Sequence, residues 1–571
     1  MDTYLEYKYI CTELQLEPIN REVYEEIENC IQYTPNGLKE IIIGDEISAL
    51  YHSQSATNHD NFISFPIEFE SPCIFCAETK ISLIDKIYTE VDKCKIEKFS
   101  RYATLVSVFS LKHRIPFSYT ENFSEQPWSV VFPLPGCPHC SKKKKFTWKD
   151  AREKSILEVI NKKTTSDNTS GIRHLSPVSF IKNNRYAIGY SSILANPGQE
   201  NNRGIFLTNS FIYTGESIEK LETAGGKGYS SEQSLASWLG EGLERYYLDL
   251  RCSNDTFPKD LKEKQKNNII NNFKLPAIMP GSLEEINPYK TQWPYAEVKS
   301  LFSNKTELAP RSLIFCPDEV PENYISATTS STNGAASGSN IQEAIIQGIL
   351  ELIERDSFWF YCRTDATPFA IPNEFIPNQI NNLISLEKEG KFFIQLLKSP
   401  FNIHVVQTTY MRNNAKTNES HTARGTGASH SLEKAIYRSF SECIQILDSL
   451  DTGESIDLDD FDMRRLWHSG ESIKKFKNFF TDSLPTLDNK NYLDFTEPSL
   501  GNLFLDSYKQ GIKFFYYILH SDENISIVKS LGNEINSLDS EFYKNSNRLY
   551  DFSLLINNPF REIIYNESTF M

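Results

Sequence analysis

Glu343, Glu351 and Glu354 set three carboxylates into a stretch that otherwise reads as buried helix, with Arg355 directly after them. At about 100° per residue, Glu351 and Glu354 sit about 60° apart on a helix and Glu343 falls about 80° from Glu351. The three share one sector, while Ile345, Ile349 and Ile353, widened by Leu350 and Leu352, form an apolar one. Taken singly, such glutamates can line a solvated stripe, as most helix glutamates do. A second copy of the arrangement argues for chemistry instead. Ser237-Trp-Leu-Gly-Glu241-Gly-Leu-Glu244-Arg245 repeats Glu-x-x-Glu-Arg among Ala236, Leu239, Leu243 and Tyr247. Carboxylates from two buried helices repel, and each is costly unless paired or bound to cations. Mg2+ is the natural partner, a hard ion that takes carboxylate and phosphate oxygens, and arginine holds phosphate bidentately. The pattern predicts a nucleotide site built without a Walker loop.

The elements that must position these groups are legible nearby. A loop of small polar residues opens into the central helix; Gly334 and Gly338 let its backbone turn and approach a ligand, and Asn340 is placed to cap the helix. The aromatic run Phe358-Trp-Phe-Tyr-Cys362 continues the helix as core. The first glutamate helix is expected over 231–250, with Lys227 in the turn before it, either a phosphate contact or a surface lysine. A third helix, 432–447, carries Arg438 and Glu442 one turn apart, which alone reads as an exposed i,i+4 ion pair. Strands are expected at 176–192, 203–214, 296–303, 310–316, 402–410, 421–428 and near 513–519.

Three blocks together resemble the YcaO family of ATP-using enzymes. They are Gly226-Lys227-Gly228 followed by Ser237-x3-Glu241-x2-Glu244-Arg245; Asn333-Gly334 through Glu343-x7-Glu351-x2-Glu354-Arg355; and Gly425-Thr-Gly427 through Arg438-Ser-Phe-Ser-Glu442-Cys-Ile-Gln445. The resemblance implies an α+β fold, a YcaO-type ATP-binding domain of mixed sheets and helices over residues 165–571. It implies nucleotide contacts by Lys227, Ser237, Arg355, Arg438 and Glu442, Mg2+ held by Glu241, Glu244, Glu343, Glu351 and Glu354, and catalytic roles for Arg355, Arg438 and Glu442. Where the family usually has Gly-Asn-Thr, this chain reads Gly338-Ser339-Asn340, so the nucleotide contact passes to Ser339 or Asn340.

Cys73-Ile-Phe-Cys76 and Cys137-Pro-His-Cys140 form two Cys-x-x-Cys knuckles about 60 residues apart. One knuckle could be a redox pair; two favour a closed tetrahedral structural Zn2+ site, with ordinary buried thiols as the other reading. Their setting, Phe65-Pro-Ile-Glu-Phe-Glu-Ser-Pro-Cys73 and Pro135-Gly-Cys137-Pro-His-Cys140, resembles the zinc-bearing end of the E1-like (ThiF-like) domains of azole-forming synthetases. No Gly-x-Gly-x-x-Gly occurs in residues 1–160. Residues 1–163 are therefore expected to be a small zinc-binding α/β domain, an E1-like remnant that contacts a partner or peptide without adenylating it. A helix over 150–163 and the polar run 164–170 mark the boundary.

The chain has 571 residues, 39% apolar and 23% charged, with a formal charge of −16. That balance fits a globular protein of two or three domains and argues against nucleic-acid binding, which wants a basic face; the basic run 142–145 reads as a solvated loop. No apolar run is long enough to span a membrane, no signal peptide is read, and eleven scattered cysteines suit a reducing cytoplasm.

The resemblance implies activation of a peptide-backbone amide by ATP, so that Cys, Ser or Thr of a ribosomally made precursor peptide closes to an azoline. An E1-like or leader-binding protein and a flavin-dependent dehydrogenase are the implied partners, and a homodimer is compatible. Azoline-forming members commonly end in a proline-rich tail, whereas residues 555–571 hold one proline, Pro559. Thioamide or amidine formation, or a non-catalytic ATP-binding accessory role, therefore stand beside cyclodehydration.

Overall fold

A computed structural model describes residues 3–30, 39–43, 46–54, 60–66, 72–87, 99–120, 126–140, 173–214, 221–252, 295–301, 306–316, 331–414, 419–451, 473–474, 476–533, 535 and 548–562. The expected helix at 150–163, the boundary run 164–170, and the basic run 142–145 lie outside the described residues.

The N-terminal part builds one sheet in the order β1-β2-β3-β4-β5, from Lys39–Ile43, Glu46–Gln54, Asp60–Pro66, Phe117–Thr120 and Trp128–Val130. Both element types of the small α/β domain expected here are present, but every pairing is antiparallel. Helix Phe99–Lys112 backs the sheet, stacking Phe109 on Phe117 at 4.1 Å. That core does not close on itself. It runs without a break into Ile188, Leu194, Trp238, Leu239 and Leu243, so this unit is seated against the first glutamate helix.

Three more antiparallel sheets follow. Strands β6 (Gly198–Asn202), β7 (Ile205–Ile212) and β8 (Glu222–Gly228) form one. A second has the order β10-β9-β16-β17-β11, from β9 (Tyr295–Ser300), β10 (Thr306–Pro310), β11 (Ala335–Gly338), β16 (Phe514–Ser521) and β17 (Ser526–Gly532). The third joins β12 (Phe369–Ala370), β13 (Gly390–Leu397), β14 (His404–Asn414) and β15 (Glu419–Ser429) in sequence order. The architecture is α+β.

Each glutamate helix follows directly on one of these strands: β8 leads to Ser231–Leu248, β11 to Ile341–Arg363, and β15 to Leu432–Asp451. Ser230 and Asn340 cap the first two, accepting from the amides of Gln233 and Glu343. In the Ile341–Arg363 helix only Ile341, Gln342, Glu351 and Arg355 escape full burial, so the carboxylates do enter an apolar interior. The first and third units share a further detail. Thr208 of β7 meets Ser234 at 2.6 Å between hydroxyls, and Thr408 of β14 meets Ser439 at 2.9 Å. At the same level, a Cβ on Gly226 would overlap the Ser234 carbonyl and Trp238 amide, and one on Gly425 the Ser439 carbonyl and Cys443 amide. Strand and helix backbones touch there because no side chain intervenes.

Two expectations are corrected. Residues 176–192 are not a strand: Ser176 caps helix Pro177–Asn183, accepting from the Ser179 amide at 3.2 Å, and Pro177 pre-sets the first helical turn. The strand expected at 310–316 instead ends at Pro310. That residue lacks an N–H, and beyond it the Arg311 carbonyl accepts from the Ile314 amide to make a 3-10 turn. Among the described residues, no helix is long and apolar enough to cross a membrane.

Gly425→Ala is expected to destabilise the protein by about 1–3 kcal/mol through forced separation of β15 from its helix. Gly501, in an exposed helix with no atom nearer than 3.7 Å to an added Cβ, is the control: Gly501→Ala should be neutral or stabilise by a few tenths to about 1 kcal/mol. Chemical denaturation of both variants measures the contrast.

Candidate active site

The three glutamate helices converge on one cavity of about 580 Å³. From β8 and its helix come Lys227, Ser237, Glu241, Glu244 and Arg245. The β11 unit contributes Ser339, Glu343, Glu351, Glu354 and Arg355, and the β15 unit Thr426, Arg438 and Glu442. The structure thus brings together in this cavity every nucleotide- and Mg2+-site residue expected from sequence except Asn340. That side chain is engaged as the helix cap, bonded to the Glu343 amide at 2.9 Å, and it does not line the cavity.

Backbone amides of the preceding strands and loops seat the carboxylates. Glu244 Oε1 accepts from the Ser337 amide at 2.6 Å, reaching from the first unit to the second. Glu351 Oε2 accepts from the Gly334 amide at 2.9 Å, where the glycine's φ of +80° makes a left-handed turn. Glu442 Oε2 accepts from the Thr426 amide at 3.1 Å, while the Thr426 hydroxyl donates to Glu354 Oε1 at 2.6 Å. Cations complete the cage. Arg245 pairs with Glu241 at 2.9 Å, Arg355 with Glu351 at 3.8 Å, and Lys227 approaches Glu442 at 4.0 Å.

Two contributors were not singled out from sequence. Thr426 lies inside the Gly425-Thr-Gly427 block, but nothing in its spacing distinguishes it from a strand threonine. Arg173 pairs with Glu343 at 3.0 Å and lines the cavity. It precedes the first glutamate helix by almost 60 residues and belongs to no periodic pattern.

The four knuckle cysteines form a separate group. Their sulfurs all lie within 4.8 Å of one another, with Cys73–Cys76 at 3.9 Å, Cys73–Cys137 at 3.7 Å and Cys76–Cys140 at 3.5 Å. A tetrahedral ion with Zn–S bonds of about 2.3 Å requires S···S edges of about 3.8 Å, so the thiolates fit that ion. His139 is outside the group and packs on Phe75, 4.7 Å between ring centroids.

A family model described as YcaO cyclodehydratase, ATP- and Mg2+-binding, matches residues 225–521, more than half of the chain. The chain belongs to the YcaO family. An uncharacterized protein of Methanothermobacter thermautotrophicus is 31% identical over 136 residues, covering 23% of this chain and only 32% of that protein. Among solved structures, a heterocyclase in complex with substrate and cofactor superposes with a TM-score of 0.65 at 15% identity, over 90% of this chain and 76% of the other. The heterocyclase TruD does so with a TM-score of 0.53 at 14% identity, over 98% and 77%. At these identities the likeness is one of fold, and it extends over the N-terminal part as well as the YcaO core.

Electrostatics sorts the carboxylates of this YcaO cavity into two kinds. Burial lifts Glu244 from the usual 4.5 to about 7, although the bond from Ser337 opposes the rise. Burial also raises Glu351 against the pull of Arg355. Glu343 and Glu442 are buried too, yet their cations win. Arg173, with the Ser339 hydroxyl, holds Glu343 below the ordinary range, and Lys227, with Arg355, holds Glu442 below it. Glu244 and Glu351 are thus the groups whose ionisation calls for added positive charge.

For Glu244 the unfolded chain releases its proton near pH 4.5, whereas the folded chain keeps it to about pH 7. The folded state binds more protons in that window, so its stability falls as pH rises through it. In the presence of a chelator, the thermal midpoint is expected to decline less steeply between pH 4.5 and 7 in Glu244→Gln than in the wild-type chain. Calorimetric scans across that range provide the comparison.

Proposed function

We propose that this chain is an ATP-dependent cyclodehydratase that activates backbone amides of a ribosomally made precursor peptide. The observation that carries the reading is the single cavity into which three buried helices direct six carboxylates and, with the preceding segment, five cations. Such a lining is ill suited to an apolar ligand and well suited to a triphosphate with divalent ions. Glu241, Glu244, Glu351 and Glu354 would hold Mg2+; Glu343, with oxygens already bonded to Arg173, Ser339 and the His174 amide, would first have to give up a donor. Bound Mg2+ neutralises charge on the phosphates.

In this reading a Cys, Ser or Thr side chain of the peptide adds to the preceding carbonyl carbon. The former carbonyl oxygen, now an oxyanion still bonded to that carbon, takes the γ-phosphoryl group of ATP with release of ADP. Phosphate then leaves with that oxygen as the C=N bond of the azoline forms, giving ADP and phosphate overall. Arg355 and Arg438 are placed to stabilise the transferring phosphoryl group, with Lys227 and Ser237 as further contacts and Glu442 orienting Lys227. Positioning and charge neutralisation supply most of the catalysis in such transfers, so no nucleophile of the enzyme is required.

Residues 165–571 would form the YcaO domain, and residues 1–163 a unit held by a structural Zn2+ on Cys73, Cys76, Cys137 and Cys140. That unit is suited to contacting the peptide or a leader-binding partner in the cytoplasm, and a flavin-dependent dehydrogenase would oxidise the azoline.

Incubating the chain with Mg2+, ATP, a precursor peptide and the partner protein, then weighing the peptide, tests the reaction. Loss of one water per modified residue is expected; a gain matching sulfur for oxygen would instead mean thioamide formation, and an unchanged mass would reject catalysis. Glu351→Gln and Glu354→Gln should each abolish Mg2+-dependent ATP turnover while leaving the circular dichroism spectrum unaltered. Cys137→Ser should release zinc, measurable by atomic emission, and lower the stability of the N-terminal unit by several kcal/mol.

A further inference from the structure

Arg173, Leu175, Pro177 and Phe180 line the cavity from upstream of residues 225–521, the segment matched by the family model, and of these four Arg173 carries a charge. Arg173 Nη1 donates to the Ser337 carbonyl at 2.7 Å and to Glu343 Oε1 at 3.0 Å. The other oxygen of Glu343 accepts from the Ser339 hydroxyl at 2.6 Å and the His174 amide at 3.2 Å. Glu343 is 2% exposed and Arg173 about a third exposed, facing the cavity. One guanidinium thus joins the end of β11 to the first turn of the central helix. The same Ser337 whose carbonyl it holds gives its amide to Glu244 Oε1 at 2.6 Å. A continuous run of short bonds leads from Arg173 through Ser337 to Glu244.

We propose that Arg173 is a positioning residue of the nucleotide site. It acts through Glu343 and the Ser337 carbonyl to fix the Ser337–Ser339 turn and, through that turn, Glu244. The segment before the family-matched core is therefore part of the site and not a linker into it. This rests on the nucleotide reading given above. A guanidinium suits the place because its rigid plane fixes the two N–H directions of one nitrogen, Nη1, toward a carbonyl and a carboxylate, which a freely rotating ammonium does less well. Loss of the guanidinium leaves Glu343 buried without its cation and lets the turn relax, and displacements on the order of 1 Å at such a site cost up to about a hundredfold.

The test is Mg2+-dependent ATP binding and turnover by the full chain, with Arg173→Met, Arg173→Lys and, as control, Arg203→Met. Arg203 pairs with Glu387 at 3.2 Å outside the cavity, with comparable exposure. Arg173→Met is expected to raise the KM for Mg·ATP on the order of tenfold or more, with a smaller fall in kcat. Arg173→Lys should recover part of the lost affinity, and Arg203→Met should leave the KM unchanged. An unmoved KM in Arg173→Met, or an equal loss in Arg203→Met, would overturn the assignment. Should Arg173→Met fail to fold, the partial recovery in Arg173→Lys decides, and a wild-type KM there would count against it. A wild-type chain that takes up no Mg·ATP would overturn the nucleotide reading itself, and Arg173 with it.

Discussion

Six carboxylates within one cavity of a folded protein are a repulsive arrangement, and the rest of this structure is organised around making them tolerable. Each is held by something other than water. Strand and loop amides serve Glu244, Glu351 and Glu442, a threonine hydroxyl serves Glu354, and arginines serve Glu241 and Glu343. The donors mostly come from a neighbouring element and not from the glutamate's own helix. Bonds such as Ser337 to Glu244 and Thr426 to Glu354 therefore lock the three units to one another as they seat the charges. Nearby cations hold Glu343 and Glu442 below the ordinary carboxylate range, whereas burial dominates at Glu244 and Glu351 and raises them.

Such a cage demands backbone at close range, and the strand-to-helix connections supply it. Gly226 and Gly425 let β8 and β15 lie directly on the following helices, and the Thr208–Ser234 and Thr408–Ser439 hydroxyl pairs close the same gap by hydrogen bonding. The first and third units thus solve one packing problem in the same way, from sequences alike mainly in their paired glycines and small hydroxyl residues. The second unit differs, because its strand must turn at Gly334 to aim an amide at Glu351.

This division explains what could be read in advance. Helices carrying chemistry announce themselves through the period of their apolar residues, and Glu241, Glu244, Glu343, Glu351 and Glu354 stood out against that period. The thiolate group was legible for a related reason, since two knuckles of fixed spacing restrict what can be built. Arg173 gave no such signal: its meaning lies in contacts with residues more than 160 positions away, which no local pattern encodes. Pro177 and Pro310 misled in the opposite sense. Each sits in a stretch rich in strand-forming residues, and the backbone constraint of one proline outweighed the propensity of its neighbours. Asn340 shows a further limit, for its type suited either a ligand contact or a cap, and the cap is what the described geometry uses.

The N-terminal unit bears on the cage through the back of the first glutamate helix. Lys80, fully buried in helix Ile74–Ile87, donates to the carbonyls of Phe132 at 2.9 Å and Ser192 at 2.7 Å, tying that helix to both parts of the chain. One residue on, the Pro133 carbonyl accepts from the Tyr246 hydroxyl at 3.0 Å. Tyr246 follows Glu244 by two residues, so the face of that helix opposite the cavity rests on a segment leading straight to Cys137. Burial lowers Lys80 to about 8, and thiolate charge close by favours its ammonium form. The cysteine group and the cavity carboxylates therefore lie to either side of the first glutamate helix, connected through the Phe132–Pro133 segment that Lys80 and Tyr246 both bond.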